Sequence, residues 1–213
     1  MIKVIIFDFD GVIADSVDIK TKAFAKLFKD KGKEIVNRVV SYHLAHTGIS
    51  RYEKFHYIYK EILHNPLSKR MLKTLCRRFE DLVIDSVIKA PYIRGTREFL
   101  QNFVSRYRYF IVSATPQKEI EKIVRRRNIG ALFGAIYGAP IKKSDAVRSI
   151  RKREKIKVTE VLYVGDALSD YRAAKDNSVK FVAVVQSKDS SLKNIDCPKI
   201  RNLTELDSVI RKI

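Results

Sequence analysis

Five short apolar runs recur along the chain, at Val4 to Phe7, Tyr109 to Val112, Ala135 to Tyr137, Val161 to Val164 and Phe181 to Val185, each followed by a turn or a helical pattern. Val- and Ile-rich runs without polar alternation mark strands buried on both faces, and helices must supply that cover on either side of a parallel sheet. Covering helices are predicted over Arg97 to Arg106, Lys118 to Asn128, Asp145 to Glu154 and Ser169 to Asp176. Thr115-Pro116 reads as an N-cap followed by proline at the first helical position, and Asn128 and Gly130 read as helix stops. The expected fold class is α/β, a doubly wound, Rossmann-like parallel sheet.

Between the first strand and Pro91 the pattern changes to helical periodicity over about 75 residues, too long for an ordinary loop. Phe24, Leu27 and Phe28 form one stripe; Phe55, Ile58, Tyr59 and Ile62 form a second; Leu72, Leu75, Phe79, Leu82 and Val83 form a third. The stretch therefore reads as an inserted α-helical cap with its own small core, packed over the sheet crevice. The expected division is a core of residues 1–15 and 91–213 and a cap of residues 16–90, with Pro91 to Gly95 as the return linker. A chain of 213 residues, 46% hydrophobic, can bury one substantial core and a small second domain.

Cys76 and Cys197 lie far apart without C-x-x-C spacing, which argues against a disulfide framework or a zinc site. Cys76 falls at helical spacing from Leu72, Leu75 and Phe79, as core packing requires. No apolar run has the length of a membrane span and the N-terminus enters a strand directly, so a soluble cytoplasmic protein is expected, as a monomer or a homodimer. The 43 Lys and Arg against 24 Asp and Glu, a net charge of +19, favour anionic partners, phosphate esters or nucleic acid. This charge gathers at Arg125 to Arg127 and from Lys142 to Lys157, where amphipathic helices would turn most of it to water.

Asp8 and Asp10 stand two apart at the exit of the first strand, in Asp8-Phe9-Asp10-Gly11. Side chains at i and i+2 of a strand share one face, and open α/β sheets keep their sites at the carboxyl ends of their strands. Two neighbouring carboxylates repel, and a hard cation such as Mg²⁺ relieves that repulsion; a solvated turn is the plain alternative. Three further signals fall at predicted strand ends. Ser113, with the backbone N–H of Ala114, offers the donors a transferring phosphoryl group needs. Lys143 could bring a fixed positive charge, although Lys142 is adjacent and either could be a surface residue. In Gly165-Asp166-Ala167-Leu168-Ser169-Asp170, Asp166 could join Asp8 on a metal, with Asp170 behind it or merely capping a helix.

Asp8-x-Asp10-Gly11-x-Ile13, Ser113, Lys143 and Gly165-Asp166-x-x-x-Asp170, in that order, resemble the four motifs of the haloacid-dehalogenase-like phosphohydrolases. The helical insertion resembles that of the phosphoglycolate-phosphatase and β-phosphoglucomutase-like members. The Lys-Pro pair of many relatives is missing, which leaves Lys142 and Lys143 both open. The resemblance implies that Asp8 attacks a phosphoryl group to form an aspartyl-phosphate, and that Asp10 protonates the leaving oxygen and then activates water. It implies Mg²⁺ held by Asp8, the Asp10 backbone carbonyl and Asp166. The expected substrate is a small anionic phosphate monoester, phosphoglycolate-like or a sugar phosphate. A phosphomutase using the same aspartyl-phosphate and a basic nucleic-acid-binding protein on the same fold are the alternatives.

In such a family the cap supplies substrate contacts. Ser50 could cap a helix carrying Arg51, whose guanidinium would grip a substrate anion; an exposed first-turn arginine is the alternative. His43, His46, His56 and His64 all lie in the cap without ligand spacing, as surface or packing residues do.

Overall fold

The N-terminal apolar run forms a four-residue strand, β1 (Val4–Phe7), with every side chain buried. In the computed structural model, which describes residues 1–187 and 190–213, β1 is central in a six-stranded sheet. Its companions are β2 (Arg108–Pro116), β3 (Phe133–Ala139), β4 (Val161–Gly165), β5 (Lys180–Val184) and β6 (Lys199–Ile200). The order is β3-β2-β1-β4-β5-β6, and every pairing is parallel. The five predicted strands are all present; β6 has two residues, too few to show as an apolar run. The chain runs from β1 out to β2 and β3, then crosses back to β4 on the other side of β1. That reversal opens a crevice at the carboxyl ends of β1 and β4, the usual ligand position in such sheets.

Helices cover both faces because alternate strand residues point opposite ways. Ile5, Phe7, Ile111 and Val164 meet Phe99 of α5 (Thr96–Asn102), Ile120, Ile123 and Val124 of α6 (Gln117–Arg126), and Leu206 of α9 (Leu206–Ile210). Val4, Ile6, Val112 and Tyr163 meet Ala146, Val147 and Ile150 of α7 (Lys143–Glu154) and Ala173 and Ala174 of α8 (Leu168–Asp176). Several predicted helix ends move, with α6 ending at Arg126 rather than Asn128 and α7 starting at Lys143 rather than Asp145. The helix begun at Thr96 stops at Asn102, because the chain turns there, with the Phe103 carbonyl accepting the N–H groups of Arg106 and Tyr107. Pro116 still belongs to β2 and α6 starts after it; Thr115 caps nothing, because its hydroxyl is engaged by Asp10 and Lys20. Asn128 adopts the left-handed conformation just beyond the end of α6.

The insertion is helical throughout: α1 (Val17–Leu27), α2 (Lys33–Ala45), α3 (Arg51–Tyr57) running into a wider turn at Ile58–Ile62, and α4 (Lys69–Lys89). Phe24, Phe55 and Phe79, one from each predicted stripe, meet ring to ring with centroids 4.6 to 6.2 Å apart. The chain enters and leaves this unit along two adjacent segments, joined by Asp15 N–H to Pro91 C=O (2.9 Å) and Ile93 N–H to Ile13 C=O (3.1 Å). None of the described helices is long and apolar enough to cross a membrane.

Arg127 departs from the solvated-face reading that fits exposed Arg125 and Arg126. Its Nη1 donates to the carbonyls of Val87 (3.0 Å), Ile88 (2.9 Å) and Ala90 (2.8 Å), and its guanidinium lies 4.1 Å from the Tyr92 ring centroid. The last carbonyls of a helix lack intrahelical partners and the helix dipole favours a cation there, so one side chain on the sheet domain fastens the end of α4. Arg127→Ala should lower unfolding free energy by about 1–3 kcal/mol in denaturant titration, whereas Arg125→Ala should stay within about 0.5 kcal/mol.

Candidate active site

Asp8 leaves β1 with its N–H on the Val164 carbonyl of β4 (3.0 Å), so its carboxyl is buried at the crevice between the two strands. Lys143, the first residue of α7, donates through Nζ to Asp8 Oδ1 (3.1 Å) and Asp170 Oδ1 (2.7 Å). The neighbouring Lys142 sits at the N-cap position and is exposed, so Lys143 is the lysine that enters. Asp170 also accepts the Tyr163 hydroxyl (2.8 Å) on Oδ1 and the Ala167 N–H (3.1 Å) on Oδ2. Of the two roles open to Asp170, the structure gives it both: it caps α8 and it orients the lysine.

Asp166 completes the cluster. Carboxylate oxygens of Asp8, Asp166 and Asp170 lie within 4.8 Å of one another. Gly11, at φ +81°, lets the turn after Asp10 pass so close to Asp166 that any Cβ at position 11 would collide with its carboxylate. Gly48, at φ +79°, likewise brings the loop before α3 down onto Ser169, whose hydroxyl donates to the Gly48 carbonyl (2.9 Å).

Asp10 faces a different environment from Asp8. Ser16 donates to Oδ1 (2.6 Å), Thr115 donates to Oδ2 (3.2 Å), and Lys20 forms an ion pair with Oδ2 while also donating to the Thr115 hydroxyl (2.8 Å). Burial pushes the Asp10 carboxyl up, but Lys20, Ser16 and Thr115 together outweigh it and hold the pKa below the usual carboxylate range. Burial also pushes Asp8 up; Lys143 opposes and Asp170 and Asp10 add, so that it titrates at about 7. Asp166 is driven upward by burial and by the charges of Asp8 and Asp170.

Ser113 is buried, its hydroxyl accepting the Thr115 N–H (3.1 Å), and Ala114 and Thr115 line the cavity that follows. Arg51 reaches the same cavity but is not an exposed first-turn residue. Ser50 caps α3 by accepting the Glu53 N–H (3.3 Å), and Arg51 turns inward to pair with Glu119 of α6 (2.6 Å), with its guanidinium 4.4 Å from the Phe79 ring centroid. His46, His56 and His64 are exposed, and His43 packs against Phe24 at 4.6 Å.

Ser16, Lys20 and Thr115 are absent from the sequence-based site, although one signal was present. Ser16 and Lys20 are four apart where the first helix begins, so they share the helical face nearest Asp10.

The donor set fits a hard divalent cation. Three carboxylates converge with one ammonium between two of them, and the Asp166 carboxylate takes no hydrogen bond from the described residues. Oxygen-only coordination of this kind suits Mg²⁺.

The sequence profile of the haloacid dehalogenase-like hydrolases matches residues 5–184, and the chain belongs to that family. It is 24% identical over 204 residues to a phosphoglycolate phosphatase of Pseudomonas savastanoi pv. phaseolicola, covering 85% of this chain and 69% of that one. It is 25% identical over 183 residues to a phosphoglycolate phosphatase of Aliivibrio fischeri, covering 82% and 80%. Among solved structures, a predicted phosphatase from Clostridium acetobutylicum superposes with a TM-score of 0.79 at 17% identity, covering all of both chains.

Mg²⁺ should raise the melting temperature of the wild type, by an amount that grows from pH 6 to pH 8 as the Asp8 carboxyl, titrating at about 7, loses its proton to a competing cation. Asp166→Asn should lose most of that shift in differential scanning fluorimetry. An equal shift in both proteins would remove the cluster as the site.

Proposed function

We propose that this protein is a Mg²⁺-dependent phosphatase that hydrolyses a small phosphate monoester, phosphoglycolate-like or a sugar phosphate, through an aspartyl-phosphate on Asp8. The observation that carries this reading is the Asp8 carboxylate at the switch point of the sheet, held on Lys143 and close to Asp166. Membership of a hydrolase family and likeness to two phosphoglycolate phosphatases support it. The cavity above Asp8 measures about 60 Å³, far below the roughly 300–1,000 Å³ of drug-sized ligand pockets, which favours a small substrate.

Asp8, the Asp10 backbone carbonyl and Asp166 would hold Mg²⁺, which supplies charge neutralisation where a carboxylate must approach an anionic ester. Lys143 adds a fixed positive charge on the Asp8 oxygen, and Asp170 with Tyr163 keeps that ammonium in place. Asp8 Oδ bonds to phosphorus as the ester P–O bond breaks, and the leaving oxygen takes a proton from Asp10. In the second step Asp10, again a carboxylate, takes a proton from water as that water attacks the aspartyl-phosphate, releasing phosphate and restoring Asp8. Ser113 and the Ala114 N–H are the donors assigned to the phosphoryl oxygens.

Lys20 sets the balance between the two roles of Asp10. Its ion pair favours the carboxylate the second step needs, and loading a proton for the first step requires that contact to loosen.

Phosphate release from a panel of phosphate esters with Mg²⁺ tests the reading, with Asp8→Asn as control. Release should fall at least about 10³-fold in the folded variant; retained turnover would eliminate Asp8 as the nucleophile. In Lys20→Met the Asp10 pKa should rise, so the acidic limb of the kcat pH profile should move to higher pH. An unmoved limb would show that Lys20 does not govern Asp10.

A further inference from the structure

Three basic side chains line the cavity above Asp8, namely Lys20, Arg51 and Lys54. Lys20 is paired with Asp10 and Arg51 with Glu119. Lys54 differs: it is only 3% exposed, yet among the described residues no carboxylate lies within ion-pair distance of it. Its Nζ instead lies 2.7 Å from His43 Nδ1 and 3.4 Å from the His43 carbonyl, and 5.5 Å from the Phe24 ring centroid.

A buried cation without a counter-ion is costly, and the cost is relieved either by loss of its proton or by an anion that comes to pair with it. His43 repeats the same deficit. With Nδ1 facing the ammonium, the imidazole carries its proton on Nε2, and that buried nitrogen has no partner. The cavity that holds Asp8, Asp10 and Asp166 is thus also lined by a buried ammonium without a counter-ion and, beside it, a buried imidazole whose Nε2–H has no acceptor.

We propose that Lys54, seated against His43, binds a carboxylate at the end of the substrate opposite the phosphoryl group, and so selects short carboxylated phosphate esters over uncharged ones. This rests on the phosphatase reading above and names its substrate class. A carboxylate suits the site better than a second phosphate: a single unpaired ammonium balances one negative charge rather than two, and the space is small. Burial and then the charge of Lys20 push the Lys54 ammonium down to about 7, and those same forces favour an anion that restores its charge. Burial, with Lys54 and Lys20, pushes His43 down to about 3, which keeps the imidazole neutral and its Nδ1 free to accept.

The test is calorimetric binding, with Mg²⁺ present, of two phosphonates that cannot be hydrolysed. One is 3-phosphonopropionate, which bears a carboxylate; the other is propylphosphonate, which does not. The wild type should prefer the first by at least about tenfold. Lys54→Met should bring the two within about threefold of each other while leaving propylphosphonate affinity nearly unchanged, which also shows that the variant is folded. A wild type without the preference, a variant that keeps it, or binding of neither compound overturns the proposal. If the preference is present but no phosphate ester is turned over, the hydrolase reading falls and the carboxylate site stands.

Discussion

One ammonium, Nζ of Lys143, lies between two buried carboxylates, and the arrangement of the whole crevice depends on it. The sheet delivers Asp8 and Asp166 to adjacent strand ends, and the turn into α8 adds Asp170, so three acids meet where water is scarce. Left alone, such a cluster would take up protons. Lys143 offsets part of the repulsion from the start of α7, and its own pKa rises because Asp170 and Asp8 outweigh the cost of its burial. Tyr163 and the Ala167 N–H fix Asp170 from the other side, so the lysine is aimed by a framework that spans β4, α7 and α8.

The helical insertion is organised by a different rule, in which charges cross from one unit to the other. Arg51 on α3 meets Glu119 on α6, Arg126 on α6 meets Asp85 on α4, and Arg127 takes the carbonyls at the end of α4. The buried Arg51–Glu119 pair contributes little net stability, because desolvation opposes the attraction, but breaking it leaves an uncompensated charge, whereas the exposed Arg126–Asp85 pair is screened by water. Their effect is to fix how the insertion sits over the crevice. The large positive net charge is therefore partly internal, and its buried members have separate tasks from the exposed residues of α6 and α7.

Much of this was legible in the chain. The five apolar runs and the stripes around Phe24, Phe55 and Phe79 follow from local periodicity, which sequence displays directly; Asp8, Ser113 and Asp166 stand at or just beyond the ends of such runs, and it is the resemblance to the phosphohydrolase motifs that groups them with Lys143 and Asp170. What was not legible depends on pairing across distance. Arg51 and Glu119 are partners on separate helices, and nothing in either segment announces the other. Thr115 looks like a helix cap because its neighbours are Pro116 and a helix; only the approach of Asp10 and Lys20 gives its hydroxyl another use. Lys54 reads as one more basic residue on a surface helix until the folded chain shows that it is enclosed without a counter-ion. The choice between Lys142 and Lys143 turned on one step along α7, below the precision of a periodicity argument.

The two chain segments that lead into and out of the insertion run side by side, joined by the Asp15–Pro91 and Ile13–Ile93 hydrogen bonds. That double strap is one attachment among several, since Glu119 meets Arg51, Arg127 holds the end of α4 and Ser169 donates to the Gly48 carbonyl. The insertion is therefore gripped at several points rather than hung from one, so its packing and that of the carboxylate cluster beneath it are not independent.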